Sequence, residues 1–386
     1  MRFMRTQTSS VLPRKILMTV DSIGGVWTYA LELARALEPY GIEIAFASMG
    51  GRLSREQYDQ VVTRKNVRLF ESAYRLEWME DPWDDVDRAG DWLLQVAARV
   101  RPDIIHLNGY SHAVLPWNAP VLVVAHSCVL SWWRAVKQGD APSRYDQYRA
   151  RVAAGLAAAN LIVAPSVAMR DALAADYGAN FNCIVVPNGR DPRLFFCDAK
   201  TDLIFSCGRL WDEAKNVRLL ERVASRITWR IAVAGDCQYP GRSTVVVHNV
   251  RCLGRIPPAE IAQQLARTAI FVLPAHYEPF GLSVLEAALS CCALVLADIP
   301  SFRETWHGSA IFVPSDDATG FANALNNLIE NTRRRQDYGR RARVRALEFS
   351  PHRMASEYLA AYRTCIHEEF ASVPGKPPLV VEEVAA

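Results

Sequence analysis

Short apolar runs alternate with longer stretches of helical period along almost the whole chain, and halfway through the alternation starts again. Lys15–Val20, Ile42–Ala47, Val67–Phe70, Asp103–Leu107, Val121–Ala125, Leu161–Ala164 and Cys183–Val186 read as buried strands. Between them, Val26–Leu37, Asp84–Val100, Tyr145–Ala159 and Val167–Tyr177 read as helices, the last with Ser166 as its cap. After the turn Pro187–Pro192 come strands at Asp202–Ser206, Arg230–Ala234, Val245–Val247, Ala269–Leu273, Ala293–Ala297 and Ala310–Val313. Helices are expected there at Lys215–Ser225, Pro258–Arg267, Leu282–Ser290, Ala318–Glu330, Arg333–Leu347 and Ser350–His367. Strand alternating with helix is the pattern of a parallel sheet, and strands apolar on both faces are those that helices cover on both sides. The restart predicts two such α/β units in tandem, joined near Pro187–Lys200. The leading segment Met1–Pro13 and the Pro-rich tail after Ser372 read as frayed ends.

Composition narrows the function. Of 386 residues, 50% are hydrophobic and 22% charged, with a net charge of +3. Neither half is strongly basic, so the electrostatic footprint of a nucleic-acid-binding protein is missing. No apolar run is long enough to span a bilayer, and Met1–Pro13 lacks the apolar core of a signal peptide. The nine cysteines form no C-x-x-C pair, and the eight histidines show no metal-ligand spacing with them. Reduced, mostly buried thiols in a cytosolic protein are expected.

The polar motifs fall just after predicted strands, where ligands of open α/β sheets bind. In Glu278-Pro279-Phe280-Gly281-Leu282-Ser283-Val284-Leu285-Glu286, a strand ends, a loop carries one carboxylate and a glycine, and a helix begins. Unpaired N–H groups at a helix start suit a phosphate-like anion, and Gly281 allows close approach. The spacing fits equally an ordinary turn with Glu286 as a solvated helix charge. Gly208-Arg209 and Lys215-Asn216 place two cations beside a strand end and a helix start, which suits a diphosphate; a solvated basic loop balanced by Asp212 and Glu213 is the alternative. Gly24-Gly25 follows the first strand without a full G-x-G-x-x-G, which counts against a dinucleotide fold. His106 and His126 sit at neighbouring strand ends. Asp85-Val86-Asp87 reads as helix-start acids complementing the dipole rather than a metal-binding pair. Trp132-Trp133-Arg134 fits a membrane-surface patch, a sugar platform or core packing. The basic helix Arg333–Arg345 reads as a solvated face.

Taken together and in this order, these motifs resemble the retaining glycosyltransferases of the GT-B fold, family 4, from about Lys15 to about Ile366. Glu278 and Glu286 match that family's paired glutamates, Gly208-Arg209 with Lys215-Asn216 its donor-diphosphate motif, and Val186-Pro187-Asn188-Gly189 its linker signature. Gly24-Gly25 matches its N-terminal glycine loop and His126 its cleft histidine. The segment Asp298–Glu304 looks like the run after the paired-glutamate helix. Two departures stand out: the stretch from Arg209 to Lys215 is slightly long, and Asn216 replaces a frequent glycine.

The resemblance implies two Rossmann-like domains facing across a cleft. An acceptor domain would span 13–190 with a helix over 350–368 crossing back to it, and a donor domain would span 200–349. Arg209 and Lys215 would neutralise the donor diphosphate, with the N–H groups of Gly281 and Leu282 beside them. Glu278 would bind the donor sugar, Glu286 the ribose and His126 the sugar from the first domain. Gly24 and Gly25 would pass under the phosphate, and Phe280 and Leu253 would line the nucleotide. The implied reaction moves a sugar from a nucleoside-diphosphate sugar to a sugar, lipid-linked or small-molecule acceptor, with retention, no cofactor and no metal. The implied place is the cytoplasm, with weak peripheral contact of the first domain at the inner membrane face. A nucleotide-sugar 2-epimerase of the same fold and a non-catalytic nucleotide-sugar-binding protein are the competing readings.

Overall fold

In the computed structural model, residues 12–237 and 247–372 are described, with side chains through 367. The first seven strands are β1 (Lys15–Asp21), β2 (Glu43–Met49), β3 (Val67–Glu71), β4 (Ile104–Leu107), β5 (Val121–Val124), β6 (Leu161–Ala164) and β7 (Cys183–Val185). They form one sheet in the order β3-β2-β1-β4-β5-β6-β7. The next six are β8 (Thr201–Cys207), β9 (Arg230–Ala234), β10 (Arg251–Cys252), β11 (Thr268–Leu273), β12 (Ala293–Ala297) and β13 (Ala310–Val313). Their order is β10-β9-β8-β11-β12-β13. All pairings are parallel, with Ile16 beside both Ile44 and Ile104 in the first sheet and Ile204 beside both Ile231 and Ile270 in the second. The strand expected at Val245–Val247 lies largely outside the described residues, as do both expected frayed ends.

Each sheet changes direction of growth once, between β1 and β4 and between β8 and β11. Loops leaving adjacent strands to opposite sides open a crevice there. Apolar side chains fill both faces of the first sheet, with Ile16, Met18 and Val20 on one side and Leu17, Ala45 and Ala47 on the other. The C-terminal helix, Pro351–Ser372, returns to the first sheet: Met354, Tyr358, Leu359 and Tyr362 join the cluster built on β1 and the first helix, Gly25–Leu37. The second sheet has its own core around Phe205, Phe271, Leu285 and Trp306.

Three helices were not expected from the sequence: Arg55–Val62, Val129–Lys137 and Pro300–Trp306. The helix expected from Lys215 begins instead at Val217, because Asn216 adopts the left-handed conformation with φ 49°. Asparagine tolerates that region better than other side chains. Its amide donates to the carbonyls of Pro274 (3.1 Å) and Ser315 (2.8 Å), which holds it in that conformation. Asp85 and Asp87 lie in the helix Trp83–Val100 and pair with Arg88 and Arg151. The expectation of nine free thiols is corrected: Cys197 and Cys291 form a disulfide, with Cα atoms 5.6 Å apart.

Candidate active site

The loops leaving β1, β8 and β11 converge. Gly24 has φ 83° and ψ −157°, and a Cβ there would stand 3.2 Å from Nη1 of Arg209. The next residue, Gly25, begins the first helix and faces Leu282 of the second domain at 3.4 Å by the same measure. The glycine loop of one domain therefore lies directly on the basic loop and helix start of the other.

Behind that contact, the cations have carboxylate partners. Arg209 donates to Asp212 at 2.8 Å and stacks over Trp211. Lys215 donates to Glu278 at 2.5 Å. Asp212 is buried, which pushes its pKa up, but the charges of Arg209 and Lys215 and the Trp132 indole N–H outweigh this and hold it below the usual carboxylate range. Gly281, with φ 91°, precedes the helix Leu282–Leu289, whose first N–H groups have no side-chain cap. A side chain at Gly281 would also crowd Phe302 at 3.1 Å. The helix start thus stays open to an anion beside Lys215 and Glu278.

On the first-domain side, His126 is half-buried and stacks edge-on against Tyr29. Asn108 fixes its tautomer. The Asn108 amide nitrogen donates to the Thr19 carbonyl (2.5 Å), which leaves Oδ1 to accept from His126 Nε2 at 2.8 Å. Burial pushes the His126 pKa down to about 3, so the ring is neutral with Nδ1 as an acceptor. His106, the other histidine of the pair, is fully buried and bonded to Tyr362 of the returning helix (2.8 Å) and to Tyr29 (3.2 Å). Asp21, at the end of β1, was not singled out from the sequence. Burial and the neighbouring Glu77 carboxylate push its pKa up to about 7, against the opposing Trp78 hydrogen bond and Arg209 charge.

The two domains are laced together around this centre. The Trp132 indole donates to Asp212 at 2.9 Å and Lys137 pairs with Glu213 at 2.5 Å, while Arg134 of the same helix pairs with Asp176 inside the first domain. Of the readings open for Trp132-Trp133-Arg134, packing of one Trp describes Trp132, whose indole is bonded to Asp212, and Arg134 is paired with Asp176. The Tyr277 hydroxyl accepts from the Cys128 N–H (3.1 Å), and Ser166 donates to the Pro279 carbonyl (2.6 Å). Glu304 accepts the first N–H groups of the helix Val167–Tyr177, at 2.8 and 3.0 Å. Glu286 reaches the linker instead of the cations. Its carboxylate lies 2.9 Å from Nε of Arg190, whose Nη1 donates to Glu32 of the first helix at 2.7 Å.

The structure therefore gathers Gly24, Gly25, Arg209, Lys215, Glu278, Gly281 and Leu282. His126 joins through the loop that meets Tyr277. Leu253 lies two strands away from β11, beside β9, where its N–H donates to the Val233 carbonyl. The Phe280 ring turns into the core against Phe349, which leaves only its main chain for a ligand. Sequence reasoning missed Arg190, Glu32, Asn108, Asp21 and Tyr277. Arg190 had a signal, since it directly follows the Pro187-Asn188-Gly189 signature.

Family models give a matching assignment. The Glycosyltransferase Family 4 model matches residues 23–194 and the Glycosyl transferases group 1 model matches residues 201–331. The chain belongs to glycosyltransferase family 4. It is a glycosyltransferase, built of the two facing α/β domains of the GT-B fold. A D-inositol 3-phosphate glycosyltransferase from Kineococcus radiotolerans is 25% identical, covering 92% of this chain and 93% of that protein. Sucrose-phosphate synthase from Thermosynechococcus elongatus superposes with a TM-score of 0.77 at 17% identity, covering 93% of this chain and all of that one. Anabaena HepE in complex with UDP-glucose superposes with a TM-score of 0.70 at 19% identity, over 93% of this chain and all of that one. These structural likenesses bear on the fold. No helix among the described residues is long and apolar enough to cross a membrane.

Proposed function

We propose that this glycosyltransferase takes its sugar from a nucleoside-diphosphate donor bound by the second domain, and transfers it with retention to an acceptor hydroxyl presented by the first. One observation carries the reading: Arg209, Lys215 and the uncapped helix start at Leu282 form one cationic face at the β8/β11 switch point, directly under Gly24 and Gly25. A diphosphate is the ligand whose charge and size fit that face. The UDP-glucose complex of HepE, a protein of the same fold, is in keeping with it.

In the reaction the bond from the sugar C1 to the terminal phosphate oxygen breaks and a bond from the acceptor oxygen to C1 forms. The acceptor proton passes to the departing phosphate oxygen on the same face. Arg209, Lys215 and the helix N–H groups hold the charge that develops on the phosphate. Glu278 accepts from donor-sugar hydroxyls, Glu286 from the ribose, and the neutral His126 offers Nδ1 to the sugar. The Arg209–Asp212 and Lys215–Glu278 pairs keep both cations placed before donor arrives, which lowers the ordering cost at binding.

The experiment is a panel of UDP-, GDP- and ADP-sugars read by release of free nucleoside diphosphate, beside thermal shifts with UDP, GDP and ADP. Release from at least one donor, with a raised melting temperature for the matching diphosphate, supports the reading. A panel in which no diphosphate binds and none is released overturns it. Interconversion of the donor sugar without release would favour the epimerase reading instead.

A further inference from the structure

Arg190 sits in the linker between two carboxylates that belong to different domains. Its Nη1 is 2.7 Å from Glu32, on the first helix of the first domain, and its Nε is 2.9 Å from Glu286, on the helix that opens the donor site. All three side chains are nearly enclosed: Arg190 is 11% exposed, Glu32 3% and Glu286 14%. The chain of charges continues, with Arg35 2.6 Å from both Glu32 and Asp191, and Asp191 paired with Arg193. Three carboxylates thus alternate with three guanidinium groups from Glu286 to Arg193. The guanidinium of Arg190 also packs over Phe195, and its main-chain N–H donates to the Phe349 carbonyl at 3.1 Å. Arg190 is held from every side.

The two ends of its guanidinium are not equivalent. Nη1 makes a directed hydrogen bond to Glu32. The Nε–H is off the line to Glu286, so that contact is an ion pair without a directed bond. Glu286 therefore receives a positive charge while its lone pairs stay available. An ionised carboxylate accepts two hydroxyl bonds, whereas a protonated one must donate. Burial raises the Glu286 pKa above the usual carboxylate range, and the Arg190 charge beside it works against that rise.

We propose that Arg190 is the positioning residue for ribose recognition: anchored on Glu32 of the first domain, it holds the Glu286 carboxylate in place and aimed at the 2′- and 3′-hydroxyls of the donor nucleotide, so that ribose binding and the relative placement of the two domains are coupled. This rests on the nucleotide-donor reading given above. It adds a residue of this chain's own linker to the site and predicts which part of the nucleotide depends on it.

The test compares binding of UDP, GDP and ADP with binding of their 2′,3′-dideoxy counterparts, by calorimetry, in wild type and in Arg190→Gln. Wild type is expected to prefer the ribose form. In R190Q that preference falls about tenfold, roughly the loss of one hydrogen bond to a charged group, while dideoxy binding changes little. Arg190→Lys, which restores the charge, recovers at least half of the preference. Should R190Q fail to fold, the double variant R190M/E32M removes the cation together with its anchoring carboxylate, an exchange that buried ion pairs tolerate; it is expected to lose the same preference. A ribose preference equal to wild type in R190Q or in the double variant overturns the proposal while leaving the donor site standing. Absence of any diphosphate binding to wild type overturns both.

Discussion

The Lys215 ammonium donates to the Glu278 carboxylate at 2.5 Å across a contact in which neither side chain is more than 15% exposed. Removing one partner alone leaves the other as an uncompensated buried charge. Lys215→Ala is therefore expected to lower turnover at least ~100-fold, about 2.7 kcal/mol of transition-state stabilisation, and to lower the melting temperature as well. Adding Glu278→Gln to it should recover the melting temperature without recovering turnover. Diphosphate release and thermal melts on the single and double variants separate the two effects. Near-wild-type turnover in K215A would remove Lys215 from the mechanism.

Gly24→Ala meets two obstacles. The pair φ 83°, ψ −157° belongs to a region that only glycine occupies without strain, and the new methyl would stand 3.2 Å from the Arg209 guanidinium. A stability loss of about 1–3 kcal/mol is expected from the backbone. Displacement of Arg209 should reduce donor affinity further, by roughly tenfold. Thermal melting and diphosphate titration check both, and an unchanged affinity would show that Gly24 does not shape the phosphate seat.

Asp21 gives the site a pH dependence of known sign. Its folded pKa, about 7, is above the unfolded value of 3.8. Between those values the native state holds a proton that the unfolded chain has released, so stability falls as pH rises from about 4 to 7 and stays low above. Asp21→Asn removes that penalty. The variant should match wild type below pH 4 and melt higher at pH 8, with a gain in stability on the order of a few kcal/mol. Parallel melting curves for the two proteins across that range would show that Asp21 is not held protonated.

The two sheets were legible in the sequence because their strands are continuous apolar runs, and the switch-point loops were legible because glycines and charges follow those runs directly. Val129–Lys137 was not, since its Trp132, Trp133 and Arg134 fit an exposed patch and core packing equally. In the structure Trp132 finds its partner in Asp212, 80 residues away in the chain. Pairings of that kind, like Arg190 with Glu32 and Glu286, depend on how two separately folded sheets face each other, and no local periodicity encodes that. Phe280 shows the converse. It sits within the motif, yet its ring belongs to the core, packed against Phe349 just before Gly281 starts the helix.

Under the donor reading proposed above, Arg209 and Lys215 neutralise the diphosphate in place of a divalent cation. Turnover is accordingly expected to survive exhaustive chelation. Diphosphate release measured before and after chelation decides this, and a loss of activity restored by magnesium or manganese would sink the metal-independent reading.

Cys197 and Cys291 enclose a loop of sequence separation 94, and both belong to the second domain. Cys197 follows Phe195, which is packed in the core of the second domain, and Cys291 follows the helix Leu282–Leu289 of that same domain. The link therefore restrains the unfolded second domain and does not bridge the cleft. Cross-linking a loop of this size stabilises by roughly 5 kcal/mol in the chain-entropy view. Reduction is expected to lower the melting temperature by roughly 10–20 °C while leaving diphosphate affinity unchanged. Alkylation of the denatured, unreduced protein should mark the seven free cysteines, and all nine only after reduction. Nine marked thiols before reduction would return this chain to the all-thiol state expected from its sequence. A fall in affinity on reduction would show instead that the link supports the helix whose start holds the phosphate.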